Sequence, residues 1–388
     1  MNKPSILPPQ TIGIIGGGQL GRMMAISARY MGYRVIVLDP TPDCPCAQVS
    51  DEQIVKQYDD MDGIRMLTEK SDVVTYEFEN VDLAAASYIE KQGKLPQGAY
   101  PLEVTQNREK EKTLMKEAGL PVPTFFIVRD EAECIEACKN ITYPAVIKTC
   151  RGGYDGKGQV KLESADEKDT AIAFTKKYGY CIIEEWVSFD KEISVVFTRS
   201  QSDNGEAKIA FFPIPENEHK DHILYKSTVP ADISDVVEGK AKEAATLLAE
   251  KMDIVGTFAI EMFVVGDDIY VNEMAPRPHN SGHYTIEGCN VSQFDEHVRA
   301  VFGLPLIPIH LQSPAMMVNI LGEDMENTLT SMPKSNVGHV HLYGKKDIKP
   351  KRKMGHITFT GNTLEQLKVD LKHFKENGMD QGRGQNND

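Results

Sequence analysis

Residues 148–159 read Lys148-Thr149-Cys150-Arg151-Gly152-Gly153-Tyr154-Asp155-Gly156-Lys157-Gly158-Gln159, and this stretch decides which nucleotide fold the chain can adopt. It follows an apolar strand, Pro144 to Thr149, and leads into a second, Gln159 to Leu162. Four glycines and three cations in twelve residues suit no packed element, because glycine weakens a strand interior. They suit a flap closing over phosphates. The stretch lacks G-K-[ST] and opens onto a strand instead of a helix, which argues against a P-loop. A solvated hairpin tip is the plainer reading, and Lys148 at the strand end weighs against it.

Outward from this loop, Thr124 to Val128, a helix from Asp130 to Lys139 and a helix from Ser164 to Tyr178 complete a strand-helix module. It ends on the strand Cys181 to Glu184. Before it, Asn107 to Ala118 reads as a charged connecting helix, stopped by Gly119 and by Pro121 and Pro123. Earlier still, Thr11 to Ile15, a helix from Arg22 to Met31 and Arg34 to Leu38 alternate, and Asp72 to Tyr76 adds a strand, predicting a parallel sheet covered by helices. Gly16, Gly18 and Gly21 form a G-x-G-x-x-G turn, with Asp39 closing the next strand 18 residues after Gly21. That is the context of a dinucleotide fingerprint, and a NAD-dependent dehydrogenase stays open on it. The physics says less: backbone N–H groups at a helix start hold an anion, and a pyrophosphate and a ribose phosphate both qualify. Close strand-helix packing alone is the third reading.

Downstream, Glu184-Glu185-Trp186-Val187 and Glu192 lie at strand ends, where backbone groups can pair with an adenine edge and a carboxylate with ribose hydroxyls. Hairpin-like strands then surround a helix from Ser234 to Lys251. Gly256 to Val265 and Ile269 to Met274 flank Gly266-Asp267-Asp268, and a three-residue loop places Glu261 opposite Glu273. Two facing carboxylates need a cation between them, and Mg²⁺ carrying ATP phosphates fits. A two-residue loop would put them on opposite faces, and both glutamates as ordinary solvated sheet residues is the bland alternative. Ala275-Pro276-Arg277-Pro278-His279-Asn280-Ser281-Gly282-His283 follows as a loop, so His279 and His283 are not a helical zinc pair.

Composition limits the function. The chain has 388 residues, 41% hydrophobic and 26% charged, enough for two or three packed units. With 43 basic and 57 acidic residues the formal charge is −14, which disfavours nucleic acid or an anionic membrane as a general partner. There is no apolar run of membrane-spanning length and no signal-peptide pattern at the start, so a cytoplasmic protein is expected. Seven scattered cysteines resemble neither a disulfide framework nor a zinc site, and Cys44 and Cys46 stand without a second ligand pair.

In this order, Gly16 to Arg22, Tyr76-Glu77-Phe78-Glu79-Asn80, Gly153 to Gln159, Asn272 to His283 and Arg352-Lys353-Met354-Gly355-His356 resemble the ATP-grasp superfamily. Within it they are most similar to the ligases that carboxylate an aminoimidazole ribonucleotide in purine synthesis. The resemblance covers residues from about 11 to 370. It implies an α/β, three-domain ATP-grasp fold with an N-terminal Rossmann-like (pre-ATP-grasp) domain and a small C-terminal subdomain. The divisions expected are 1–106, 107–187, 188–377 and a polar, disordered tail 378–388. It also implies that ATP, bicarbonate and 5-aminoimidazole ribonucleotide give the N5-carboxylated ribonucleotide, ADP and phosphate, with Mg²⁺ and a homodimer.

On that resemblance ATP is held by Arg108, Lys148, Gly153, Tyr154, Asp155, Gly156, Lys157, Gly158, Gln159, Glu184, Glu185, Trp186, Val187, Glu192, Asn272 and Glu273, and the metal by Glu261 and Glu273. Gly17, Gly18, Gln19, Leu20, Glu77, Asn80, His279, Asn280, Ser281, Lys345, Arg352 and Lys353 are expected at the ribonucleotide. Arg277, Tyr154, Asp155 and Lys353 are the expected catalytic groups. Ala275 replaces the Asn that often supplies a third metal ligand in the superfamily. A related ATP-grasp ligase, such as a formate-using glycinamide ribonucleotide transformylase, shares these features.

Overall fold

The structure, a computed structural model, describes residues 5–153, 158–201 and 207–379. Strands β1 (Thr11–Ile15), β2 (Arg34–Leu38), β3 (Glu52–Ile54) and β4 (Val73–Tyr76) form a parallel sheet in the order β3-β2-β1-β4. β1 runs hydrophobic without alternation because both its faces are covered: Ile12 and Ile14 enter one core, Ile15 another. The chain reverses its strand order around β1, so the carboxyl ends of β1, β2 and β4 meet at a crevice. The helix after β1 spans Gln19–Tyr30, starting earlier than the Arg22 expected, with Gly18 at its N-cap and Gly21 in its first turn.

The connecting helix is Arg108–Glu117, capped by the Asn107 side chain, which accepts the Glu109 N–H at 3.0 Å. Beyond it, β5 (Phe125–Val128), β6 (Ala145–Thr149), β7 (Gln159–Leu162) and β8 (Cys181–Glu185) form an antiparallel sheet, order β5-β8-β6-β7.

A nine-stranded sheet occupies the rest. β9 (Lys191–Gln201), β10 (Ala207–Phe211), β11 (Glu216–Lys220), β12 (Ile223–Val229), β13 (Gly256–Val265) and β14 (Asp268–Ala275) precede β15 (Ala315–Leu321), β16 (His339–Leu342) and β17 (Lys353–Thr360). The order is β14-β13-β9-β11-β12-β15-β17-β16, with β10 also on β9, so the C-terminal strands extend the same sheet through the β12–β15 pair. Helix Asp235–Lys251 buries Ala241, Ala245 and Leu248 against this sheet, the periodicity an amphipathic helix requires. Residues 380–388 of the expected tail lie outside the described residues, and the last helix runs to Met379. Among the described residues no helix is long and apolar enough to cross a membrane.

Candidate active site

Hairpin β13–β14 is built differently from the sequence reading, yet with the same outcome. Val265 pairs with Asp268, so the loop is the two residues Gly266 and Asp267, not three. That register alone would place Glu261 and Glu273 on opposite faces. A bulge between Met262–Val271 and Glu261–Glu273 inserts Asn272 and restores the facing pair. Burial and the Glu273 charge push the Glu261 carboxyl up to about 7, against the pull of Lys353, Arg277 and Arg108. Two hard carboxylate donors crowded on one face suit Mg²⁺. Glu261 also shares a second group, with Glu192 and His219, whose ligand atoms lie within 4.8 Å of one another.

The pair lies in a cleft of about 870 Å³ lined by the second and third sheets and by the segments that follow β1 and β4 of the first. Arg108 enters from the connecting helix, with two guanidinium nitrogens each 3.4 Å from Glu273 Oε2. Burial works against its charge, and Glu273, Glu111 and Glu184 more than offset that, raising its pKa. Lys148, at the end of β6, is held by Glu184 Oε2 at 2.5 Å, while Glu184 Oε1 lies 3.3 Å from Lys112. Burial alone would raise the Glu184 carboxyl; Lys112, Lys148 and Arg108 hold it well below the usual carboxylate range. Glu184 is therefore the anchor of the cations. The neighbouring Glu185, Trp186 and Val187 line the cleft, as do Gln159 and Glu192. The flap's base is closed by Thr149 N–H donating to the Gly158 carbonyl at 2.9 Å. Gly153 and Gly158 lie between β6 and β7, and Tyr154, Asp155, Gly156 and Lys157 lie outside the described residues.

At the other end, the first glycine turn is already filled. Glu77, at the end of β4, accepts the N–H groups of Gly18 and, at 2.7 Å, of Gly21. A side chain at Gly18 would meet Glu77 Oε1 at 2.5 Å, so it would push the carboxylate off the N–H groups it accepts. Asp39 accepts the Gly17 N–H at 2.7 Å, the Tyr58 hydroxyl at 2.6 Å and the Thr41 N–H at 2.8 Å. The open anion site expected at Gly17 and Gly18 is thus occupied by the chain's own carboxylates, and Asp39 is engaged where a dinucleotide would need its ribose acceptor. Gln19, Leu20, Glu77 and Asn80 line the cleft beside it.

The loop after β14 faces this region. Arg277 pairs with Glu79 at 2.6 Å, and His279 Nε2 lies 3.6 Å from Glu261. His279 Nδ1 receives the Ser281 N–H at 3.4 Å, so the proton sits on Nε2 facing Glu261. Burial, with Arg277 and Lys353 nearby, holds His279 neutral. Ser281 is fully buried and bonds His279 Nδ1 at 2.8 Å, so it orients the ring. Asn280 exchanges amide hydrogen bonds with Asn319 at 3.0 and 2.7 Å, which fixes the side chain at the cleft wall. Of the late basic cluster only Lys353 is among the cleft residues. Arg352 donates to the Asp347 carbonyl at 2.8 Å, and Lys345 donates to the Lys353 carbonyl at 2.7 Å. Burial raises the Glu77 carboxyl, and the Gly21 and Gly18 N–H groups and the Lys345 charge offset that only in part.

Several lining residues escaped the sequence reading. Glu79 was visible in the acidic stretch 76–80 but its partner, 198 positions away, was not. His219 comes from the end of β11 and Asp221 and His222 from the β11–β12 turn, where both adopt positive φ, at 49° and 64°. Such turns usually carry Gly or Asn, so no local signal marked this one.

Comparison with known proteins gives a consistent result. Residues 9–106 match the ribonucleotide synthetase preATP-grasp domain, 113–294 the ATP-grasp domain, and 315–370 the phosphoribosylaminoimidazole carboxylase C-terminal domain. An N5-carboxyaminoimidazole ribonucleotide synthase of Bacillus subtilis is 48% identical over 92% of this chain and 93% of its own. A crystal structure of the Staphylococcus aureus synthetase with ADP is 41% identical, covers 96% of this chain and 99% of that one, and has a TM-score of 0.91. The Aspergillus clavatus synthase, solved with ADP and 5-aminoimidazole ribonucleotide, is 29% identical over 96% of this chain and 99% of that one, with a TM-score of 0.85. With 92% of the chain matched at 48% identity to the Bacillus subtilis synthase, the chain belongs to the N5-carboxyaminoimidazole ribonucleotide synthase family of ATP-grasp ligases.

Proposed function

We propose that this chain carboxylates the exocyclic amine of 5-aminoimidazole ribonucleotide with bicarbonate, converting ATP to ADP and phosphate. The observation that carries the reading is the facing pair Glu261 and Glu273 in a cleft that also holds Arg108, Lys148, Arg277 and Lys353. A bicarbonate oxygen takes the γ-phosphoryl group, ADP departs, and the carboxyphosphate formed is a far better acyl donor than bicarbonate. The amine then bonds to its carbon, directly or after release of CO2, and phosphate leaves with the bridging oxygen. Phosphoryl transfer of this kind depends on positioning and charge neutralisation. Arg108 and Lys148 meet the phosphates, with Lys148 aimed by Glu184. Arg277, aimed by Glu79, stabilises charge developing on the transferred group. Mg²⁺ held by Glu261 and Glu273 would neutralise phosphate charge. The flap 153–159 excludes water from carboxyphosphate, and Lys353, with Tyr154 and Asp155, binds the carboxylated centre. Glu77, Asn80, Gln19 and Leu20 hold the ribonucleotide at the crevice, with Lys345 and Arg352 behind Lys353.

We further place the protein in the cytoplasm as a homodimer and keep the domain divisions at 106, 187 and 377, with nucleotide between the second and third units. Sedimentation equilibrium at twice the 43.2 kDa chain mass supports the dimer, and a value at the chain mass rejects it. Oxygen-18-labelled bicarbonate tests the chemistry. One label per turnover should appear in the released phosphate; unlabelled phosphate, or turnover sustained by formate in place of bicarbonate, would reject carboxyphosphate.

A further inference from the structure

Strand β14 is an outer edge of the nine-stranded sheet, so backbone groups on its free side need partners from elsewhere. The connecting helix supplies them. Glu111 Oε1 accepts the Met274 N–H at 2.7 Å, and the Lys112 ammonium donates to the Asn272 carbonyl at 2.8 Å and sits 3.5 Å from the Val271 carbonyl. Just past the helix, the Pro121 carbonyl accepts the Val271 N–H at 2.8 Å. Successive carbonyls of a regular strand point to opposite edges, so two consecutive ones converging on a single ammonium mark a break in the alternation. The break is the bulge that turns Glu273 to face Glu261.

Glu111 and Lys112 are 1% and 0% exposed. A buried ammonium is costly unless paired and hydrogen-bonded, and packing alone would be served by an apolar side chain. Lys112 also reaches Glu184, whose other oxygen holds Lys148. We propose that Lys112, assisted by Glu111, is a positioning residue: it holds the Asn272 bulge, keeps the two carboxylates face to face, and ties their register to Lys148. This rests on the reading of Glu261 and Glu273 as metal ligands and of Lys148 as a phosphate contact. Lys112 itself acts through them.

Two measurements test it. In the metal-free wild type, the Val271 and Met274 amides should exchange with deuterium at least about a hundredfold more slowly than open amides, although they lie on the free side of an edge strand. Fast exchange there overturns the clamp, whatever any variant does. Second, Lys112→Met should melt cooperatively, bind metal-free ADP within about threefold of wild type, and need about tenfold more Mg²⁺ for half-maximal ADP release, with faster exchange at 271–275. Glu111→Gln, which keeps an acceptor for Met274, should stay within about threefold on every readout. Unchanged Mg²⁺ half-saturation in Lys112→Met, or an equal loss of metal-free ADP binding, overturns the proposal. A wild type inert toward bicarbonate would defeat the functional reading while leaving the exchange result standing.

Discussion

Glu77 shows how one side chain changes the meaning of a glycine turn. The G-x-G-x-x-G spacing was legible in the sequence, and the carboxylate that fills it, 59 positions from Gly18, was not. Replacing Glu77 with Gln keeps the volume but sets an N–H₂ group among N–H donors, so we expect the Michaelis constant for the ribonucleotide to rise about tenfold, with that for ATP unchanged, in steady-state assays. Glu273→Gln removes one of the facing carboxylates while leaving the sheet intact. It should lower bicarbonate-dependent ADP formation by at least about a hundredfold at an unaltered circular dichroism spectrum, and near-wild-type turnover would reject the metal assignment. Glu184→Gln leaves Lys112 and Lys148 without their shared counter-charge in the interior, and should cost about 3–5 kcal/mol in urea unfolding.

At the scale of elements, the carboxylate hairpin is the instructive case. Both strands, Gly256–Val265 and Asp268–Ala275, follow from their β-branched composition, and Glu261 facing Glu273 was expected. The route was not: the turn is two residues long and the bulge corrects it, because the partners that stabilise the bulge sit on a helix some 160 residues earlier. Deleting Asn272 should therefore regularise β14 and bring Glu273 into the place that regular pairing sets opposite Glu261, so the carboxylates stay face to face. We expect metal-dependent ADP release within about tenfold of wild type with the cooperative melt retained; complete loss would show that the bulge does more than choose the face Glu273 occupies. A second hidden link joins β4 to the loop after β14. His297 Nδ1 accepts the Thr257 N–H at 3.1 Å, Nε2 donates to Thr75 Oγ1 at 2.8 Å, Thr75 donates to Gln97 at 2.5 Å, and Gln97 donates to the Pro276 carbonyl at 3.1 Å. Each member reads locally as an unremarkable core or loop residue, so only tertiary contact reveals the chain.

Over the whole molecule, the acidic excess of a chain of net charge −14 continues into the cleft, whose described lining carries eight carboxylates against four Lys and Arg side chains, each cation set beside a carboxylate partner or facing the opposed pair. Fold class was legible because strand-helix alternation and the glycine loops are local; the cleft was legible only as an ordered set of pieces, since charge pairs such as Arg277–Glu79 depend on docking between sheets. The same docking buries histidines neutral. Burial draws His297 down to about 3 and His283 to about 3. A native pKa below the unfolded value means stability is complete above about 6.5 and falls as pH drops toward 3, because the unfolded chain takes up the proton first. Each buried histidine then contributes a slope of about 1.4 kcal/mol per pH unit below 6.5, and His297→Gln should remove one such share in urea unfolding measured from pH 7 to 5. An unchanged slope would contradict a neutral buried His297. The central claim, that this cleft couples ATP cleavage to carboxylation, is tested most directly by ADP release with the aminoimidazole ribonucleotide and bicarbonate each omitted in turn. Turnover should require both, and ADP release indifferent to either omission would contradict the account.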